Sequence, residues 1–200
     1  MTPAGKVTTL YSFCEQAGCP DGYFPIGALV QGTNENFYGT TVRGGANEEC
    51  NSQSGVGCGT IFEVTSAGKL TTLYNFCEQP SNCGDGSFPY AGLIQSTNGE
   101  FYGTTDGDYC CGTIYSLSVG LKPFVETRPT LGRTGTTVTI LGNNLASATA
   151  VTFNGTLATF TVVAATEIKA VVPAGATTGP VKVTLPARTL TSNLPFHIAQ

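Results

Sequence analysis

The stretch "AGKLTTLYNFCEQ" at residues 67–79 repeats almost letter for letter the stretch "AGKVTTLYSFCEQ" at residues 4–16. The copies continue in parallel, because Cys19–Thr41 matches Cys83–Thr105 and "CGTIF" at 58–62 matches "CGTIY" at 111–115. Self-similarity of this length is the signature of repeated structural units. The sequence therefore predicts two repeats, at about residues 2–64 and 65–119, within a first domain of residues 1–119.

Each copy contains short apolar or alternating runs bounded by Gly, Asn and Asp, which is the pattern of β-strands and tight turns. The predicted strands are Ile26–Gln31, Phe37–Thr41, Gly59–Val64 and Lys69–Phe76, then Tyr90–Gln95, Phe101–Thr105 and Gly112–Leu117. Four strands in 50–60 residues is the size of a β-propeller blade. The aromatic residues that recur with the repeat are expected to pack in the blade cores.

Three motifs of the repeat resemble a known family. They are "GKLTTLYNF" at 68–76, "DGSFPYAGL" at 85–93 and "FYGTT" with "GTIF" at 37–41 and 59–62. With them, residues 2–117 resemble the "GloVer"-type tandem repeats of secreted bacterial proteins. The first copy departs from the motif, with "IGAL" at 26–29. The resemblance implies propeller-like blades and a surface location, and it implies no reaction.

The composition changes after residue 119, and from Pro123 onward there is neither cysteine nor tyrosine. The stretch "RPTLGRTGTTVTILGNNL" at 128–145 and the pieces that follow resemble IPT/TIG domains, which are immunoglobulin-like β-sandwiches. Alternation supports a sandwich independently. The residues expected on its inner faces are Val138, Ile140, Val151, Phe153, Ile168, Ala170, Val172, Val181, Val183 and Leu185. We predict an all-β protein with two propeller-like four-stranded blades and an immunoglobulin-like domain at 120–200.

Charge excludes several classes of function. Only 11% of the residues are charged, and the net charge of −4 has no basic cluster set against it. Binding to nucleic acid or to anionic lipid therefore needs a surface that this sequence lacks. No run of 18 apolar residues is present, so no membrane insertion is expected.

Eight cysteines in a weakly charged, turn-rich chain are typical of an extracellular disulfide framework. They are Cys14, Cys19, Cys50, Cys58, Cys77, Cys83, Cys110 and Cys111. Their number allows 105 pairings. Closeness in sequence favours Cys14–Cys19, Cys50–Cys58 and Cys77–Cys83, which leaves Cys110–Cys111 or a bridge between blades or chains. Because the chain begins without an apolar signal segment, we expect a secreted protein in a trimmed form.

The sequence offers little chemistry. A nucleophile needs a base, and the only histidine, His197, lies near the end of the chain. Asp21 and Asp85 precede glycines and are interpreted as turn residues. Irregular cysteine spacing argues against zinc, and Asp106-Gly107-Asp108 is too short for a dedicated calcium loop. We predict no enzyme, no metal and no cofactor. Asn154-Gly155-Thr156 is a possible glycosylation sequon.

The repeat also ends unevenly. Lys6–Phe13 matches the last strand of the first blade, yet no blade precedes it, and the second blade lacks this strand. Two blades are too few for a closed ring, so a neighbouring copy is expected to supply the missing strand, and head-to-tail contacts that do not close give filaments. The predicted subunit interface comprises Val7, Thr9, Leu10, Tyr11 and Phe13 on one side and Gly112, Ile114, Tyr115 and Leu117 on the other.

The leading hypothesis is therefore an extracellular structural subunit that assembles with copies of itself into a fibre. Two alternatives stay open. The chain is a fragment of a longer surface adhesin or glycan-binding repeat protein, or it is an accessory domain of a carbohydrate-active enzyme. A longer array of repeats favours the first alternative, and glycan binding that is lost on mutating exposed tyrosines favours the second.

Overall fold

The computed structural model describes residues 5–47, 50, 57–78, 83–107 and 112–199. The chain divides into two compact units, Met1–Gln95 with Phe101–Ser118 and Ser96–Glu100 with Val119–Gln200. The predicted all-β class is confirmed, since the only helical segment of the described residues is one 3₁₀ turn, Leu145–Ser147. No described segment forms a helix long and apolar enough to span a membrane.

The first repeat forms a four-stranded antiparallel sheet in the order β1-β2-β3-β4. Its strands are β1 (Val30–Gln31), β2 (Phe37–Thr41), β3 (Thr60–Val64) and β4 (Leu70–Asn75). The β3–β4 hairpin turns at Gly68, whose φ of +85° is left-handed and suits glycine. The side chains of β2 and β3 are almost all buried, which makes this pair the centre of the blade.

The second repeat forms a three-stranded sheet in the order β5-β6-β7. Its strands are β5 (Ile94–Gln95), β6 (Phe101–Thr104) and β7 (Ile114–Leu117). Its register reproduces that of the first sheet, because Gly103 lies opposite Tyr115 as Gly39 lies opposite Phe62. Neither sheet closes into a barrel or a ring of blades within the described residues.

The predicted strands Ile26–Gln31 and Tyr90–Gln95 are wrong for most of their length, because only the last two residues of each are extended in a sheet. Left-handed backbones at Phe24 and Phe88, each followed by proline, turn the chain out of strand geometry. The backbone of the residues that follow makes a contact between the blades. A Cβ on Gly27 would lie 2.9 Å from the backbone N of Gly92, so the two backbones touch.

The second unit carries the remaining strands, which form two four-stranded sheets and one short parallel pair. The first sheet contains β8 (Glu126–Arg128), β10 (Thr137–Leu141), β13 (Phe160–Ala164) and β14 (Glu167–Val171). The second contains β11 (Ala150–Phe153), β12 (Thr156–Ala158), β15 (Val181–Leu185) and β16 (Arg188–Thr191). The pair consists of β9 (Leu131–Gly132) and β17 (His197–Ile198).

The core of the second unit is built from the alternating residues of its strands. All ten residues that the sequence pattern assigns to the inner faces belong to one buried cluster. Phe153 and Phe196 are fully buried in it and pack edge to face with ring centroids 5.0 Å apart. An edge-to-face pair is a favoured aromatic geometry, and it links a strand to the segment just before β17.

Candidate functional site

Three disulfide bonds lie in the described part of the first unit: Cys14–Cys19, Cys50–Cys58 and Cys77–Cys83. They are the three local pairs that the sequence spacing favours. The sulfur atoms of the last two bonds lie within 4.8 Å of one another. Metal ligation requires a free thiolate, so these oxidised pairs have no ligand to offer. Cys110 and Cys111 lie outside the described residues.

Each of the two repeated disulfide loops is followed by an aspartate that holds a tyrosine. The hydroxyl of Tyr11 donates to Asp21 Oδ2 at 2.7 Å, and the backbone N–H of Cys14 donates to the same carboxylate at 3.2 Å. In the second repeat the hydroxyl of Tyr74 donates to Asp85 Oδ2 at 2.6 Å. Asp21 and Asp85 therefore fix the end of the tyrosine-bearing segment as well as forming a turn.

These contacts affect the titration of the tyrosines. The hydrogen bond to Asp21 is the main cause that raises the pKa of Tyr11 to about 12. The pKa of Tyr74 is raised chiefly by burial and then by the bond to Asp85. Both phenols stay neutral donors through the physiological range, so both pairs remain in place there.

The segment 6–13 approaches the first blade in the way that the end of β4 approaches the second blade. Phe13 packs edge to face on Phe62 of β3, with ring centroids 5.0 Å apart. Phe76, which follows β4, packs edge to face on Tyr115 of β7 at 5.1 Å. Because Phe13 corresponds to Phe76 and Phe62 to Tyr115, the same contact occurs twice.

Residues 6–13 nevertheless form no strand. Val7 is 93% exposed and Leu10 is half exposed. Among the described residues, no backbone–backbone hydrogen bond joins Lys6–Phe13 to a neighbouring strand. Toward its end, the segment lines an apolar groove of about 330 Å³ with Leu29, Phe62 and Leu70. The segment thus has the sequence of β4, and its last residue makes the ring contact that follows β4, but it pairs with no strand among the described residues.

Strand β7 has the complementary property. It pairs with β6 on one side, and no described strand pairs with its other side. Ile114 is 83% exposed, whereas the corresponding Ile61, which pairs with Tyr74 of β4, is 1% exposed. A groove of about 270 Å³ runs beside β7. The Tyr115 hydroxyl is buried and has no hydrogen-bond partner among the described residues, and burial raises its pKa.

Phe13 contacts the first blade and Tyr115 contacts Phe76, and within the described residues no hydrogen bond or ring contact joins the two predicted interface sets. Val7, Thr9, Leu10 and Tyr11 are exposed on one side, and Gly112, Ile114, Tyr115 and Leu117 range from exposed to half-buried on the other. Both sets are thus accessible to a second molecule.

Other predicted positions have structural surroundings. Asn154 is exposed in the turn between β11 and β12, and its side-chain amide donates to Thr177 Oγ1 at 2.8 Å and to the carbonyl of Thr178 at 3.1 Å. His197 is exposed on β17. Asp106 is exposed, while its neighbour Asp108 lies outside the described residues.

Sequence reasoning did not identify Phe24 and Leu29 as surface residues. They are 48% and 54% exposed, whereas the corresponding Phe88 and Leu93 of the second repeat are 4% and 6% exposed. The Arg43 guanidinium covers the Phe88 ring at 4.6 Å, so the first blade shields this position. The recurrent "F-P-x-x-x-L" spacing in both copies is the signal that marks the pair.

Comparison with known proteins supports the second unit. The model of the IPT/TIG domain family matches residues 126–198. No curated protein matches the chain. A solved structure described as "SGBP-B from a complex xyloglucan utilization locus in Bacteroides uniformis" is similar at 16% identity and a TM-score of 0.32, over 88% of this chain and 46% of that one. The chain therefore spans about half the length of that structure. Residues 126–198 form an IPT/TIG domain.

Proposed function

We propose that this protein is a secreted, non-enzymatic structural subunit that polymerises head to tail into an extracellular fibre. Segment 6–13 of one copy becomes the fourth strand of the second blade of the next copy. The observation that carries this proposal is that the two blades share much of their sequence and their strand register, and that β4 pairs with β3 whereas no described strand pairs with the corresponding edge of β7. The disulfide bonds support an oxidising, extracellular location.

The register of the donated strand follows from the first blade. There Ile61 lies opposite Tyr74, Glu63 opposite Thr71 and Val64 opposite Leu70. Transfer to the corresponding residues pairs Ile114 with Tyr11, Ser116 with Thr8 and Leu117 with Val7 of the neighbour. Such pairing satisfies the backbone groups along the β7 edge, which otherwise form a template for uncontrolled aggregation.

The geometry of the contact determines the kind of assembly. The donor segment and the acceptor edge are different surfaces of the same chain, so the contact is heterologous. Each copy that joins presents a fresh β7 edge. Repetition therefore gives an open polymer unless the rotation between copies happens to close a ring.

The test is negative-stain electron microscopy of the oxidised protein, intact and with Thr8→Pro and Thr9→Pro together. Neighbouring residues in a strand point their N–H groups in opposite directions, so one of the two prolines removes a donor to β7 in either alignment. Both residues are exposed in the subunit, and the variant is expected to stay folded by circular dichroism. Fibres from the intact chain alone support the proposal.

Two outcomes contradict it: fibres that form equally well with the two prolines, or dispersed monomers from the intact chain at high concentration. In the second case the adhesin alternative becomes the function to test. Binding of labelled protein to a panel of plant and bacterial polysaccharides would then be the deciding measurement.

A further inference from the structure

The two blades of one chain meet through a defined contact. The hydroxyl of Thr40 in the first blade donates to the carbonyl of Ala91 in the second at 3.0 Å. The ring of Tyr38 stacks on Phe101 with centroids 4.2 Å apart. The backbone N–H of Phe88 donates to the carbonyl of Cys58 at 2.9 Å. The face of the first blade with Tyr38, Thr40 and Cys58 (the exit face) thus packs on the face of the second blade with Phe88, Ala91 and Phe101 (the entry face).

Burial follows this contact and not the residue type. On the exit face, Thr40 is buried in the first blade, and the corresponding Thr104 is exposed in the second. On the entry face the order is reversed, because Phe24 and Leu29 are exposed in the first blade where Phe88 and Leu93 are buried. One copy of this interface is therefore buried within the chain. The same two faces also occur uncovered, the entry face on the first blade and the exit face on the second.

From this asymmetry we propose that the entry face of one copy, centred on Phe24 and Leu29, packs on the exit face of a neighbouring copy, which contains Thr104 and Ile114. The occupant is a second copy of this chain, since the corresponding Phe88 and Leu93 of the second blade are already buried beside the first blade within the molecule. The match does not extend to Arg43, which covers Phe88, because the loop that carries it diverges between the two copies. In this contact Thr104 Oγ1 donates to the carbonyl of Gly27 of the partner copy. The inference rests on the proposed polymer and names a second contact within it, which shares Ile114 with the β7 edge.

This surface gives the polymer its geometry. Strand donation alone fixes the register of the donated segment but not the angle between copies. If the blade contact between copies repeats the contact within one copy, each subunit adds two blades to a continuous stack, and every blade packs on the next in the same way. Averaged images of the fibre should then show a blade repeat at half of the subunit repeat.

The variants that test the surface are Phe24→Asp and Leu29→Asp, with Leu157→Asp as the matched control. Leu157 is an exposed leucine on β12 of the second unit. Phe24 has a left-handed backbone, which aspartate tolerates better than most residues. We expect each entry-face variant to raise the concentration at half assembly at least about tenfold, as loss of one buried apolar side chain predicts. The control is expected to assemble like the natural chain.

A second readout separates the two proposals. A labelled peptide of residues 5–13 lacks the entry face and reports only on strand donation to β7. If the peptide binds each entry-face variant as it binds the natural chain while assembly is weakened, both proposals stand. If assembly of Phe24→Asp and Leu29→Asp is unchanged, the blade contact is overturned and strand donation is not. If the peptide binds neither the variants nor the natural chain, strand donation is overturned.

Discussion

Tyr11 and Asp21 hold the exposed segment in place before any partner arrives. The raised pKa of Tyr11 means that the neutral phenol is favoured in the folded protein over the unfolded chain. This contribution is fully present below pH 10, the ordinary value, and is lost as the pH rises through about 12. The Tyr11 phenol is therefore neutral and able to donate to Asp21 at neutral pH.

We predict that Asp21→Asn lowers the pKa of Tyr11 toward its ordinary value. The amide can still accept the hydrogen bond, but it no longer carries the charge that opposes ionisation of the phenol. The measurement is a tyrosine ring-carbon NMR titration, with the Tyr11 signal assigned by Tyr11→Phe. Asp106→Asn, which removes an exposed carboxylate, is the control and should leave this titration unchanged. An unaltered pKa in Asp21→Asn would contradict the pairing.

The left-handed backbone at position 22 and the lack of space for a side chain there both require glycine. Its φ is +112°, and a Cβ there would lie 2.5 Å from Thr41 Cγ2, in the blade centre. Gly18 has a φ of +82° with open space around it. We predict that Gly18→Ala costs about 1–2 kcal/mol through the backbone alone. Gly22→Ala should lose about 1–3 kcal/mol more through the clash. Urea unfolding measures both, and equal losses would show that the clash relaxes freely.

At the scale of the strand, the donated register can be captured chemically. We predict that a protein carrying Thr8→Cys and Ser116→Cys forms covalent ladders on oxidation, since opposite residues of an antiparallel pair bring their Cβ atoms within about 5.5 Å. The control, Thr8→Cys with Leu117→Cys, is one residue out of register and places the two side chains on opposite faces. Non-reducing electrophoresis reads the result. Equal ladders from both variants would contradict the proposed register.

The elements show what the sequence could and could not predict. The inner-face alternation around Val138 and Phe153 follows from the period, because burial on one side of a sheet imposes a two-residue pattern. Strand β2, which is buried at four consecutive residues, follows instead from its composition and from the turns that bound it. The run Ile26–Leu29 is also apolar, but its backbone at Gly27 and Ala28 contacts the other blade, and it joins no sheet. A short apolar run does not distinguish these two cases. Only the repeated copy, with a different burial at each site, reveals the contact.

At the scale of the molecule, the proposed function depends on the incomplete repeat. Within the described residues, β4 pairs with β3 in the first blade, no strand pairs with the outer edge of β7, and residues 6–13 repeat the sequence of β4 without forming a strand. The proposed site is therefore a pair of surfaces, this segment and this edge. Counting strands in the sequence indicates both, and the role of segment 6–13 as a donor stays a prediction. The sequence could not predict the entry face, because Phe24 and Phe88 lie in the same F-P-x-x-x-L motif and differ in what covers them.

The two units should also respond differently to reducing agent. All eight cysteines lie between residues 14 and 111, and the IPT/TIG domain has none. The three bonds close short loops, with sequence separations of 5, 8 and 6, and each is worth about 2–3 kcal/mol on chain entropy. We predict that reduction lowers the melting midpoint of the first unit by more than about 10 °C. Residues of the IPT/TIG core, such as Val138 and Val183, should keep their hydrogen-exchange protection.

Mass spectrometry of exchange with and without reductant, at a temperature between the two midpoints, makes this measurement. Equal loss of protection in both units would mean that they unfold as one and that the blades support the IPT/TIG domain.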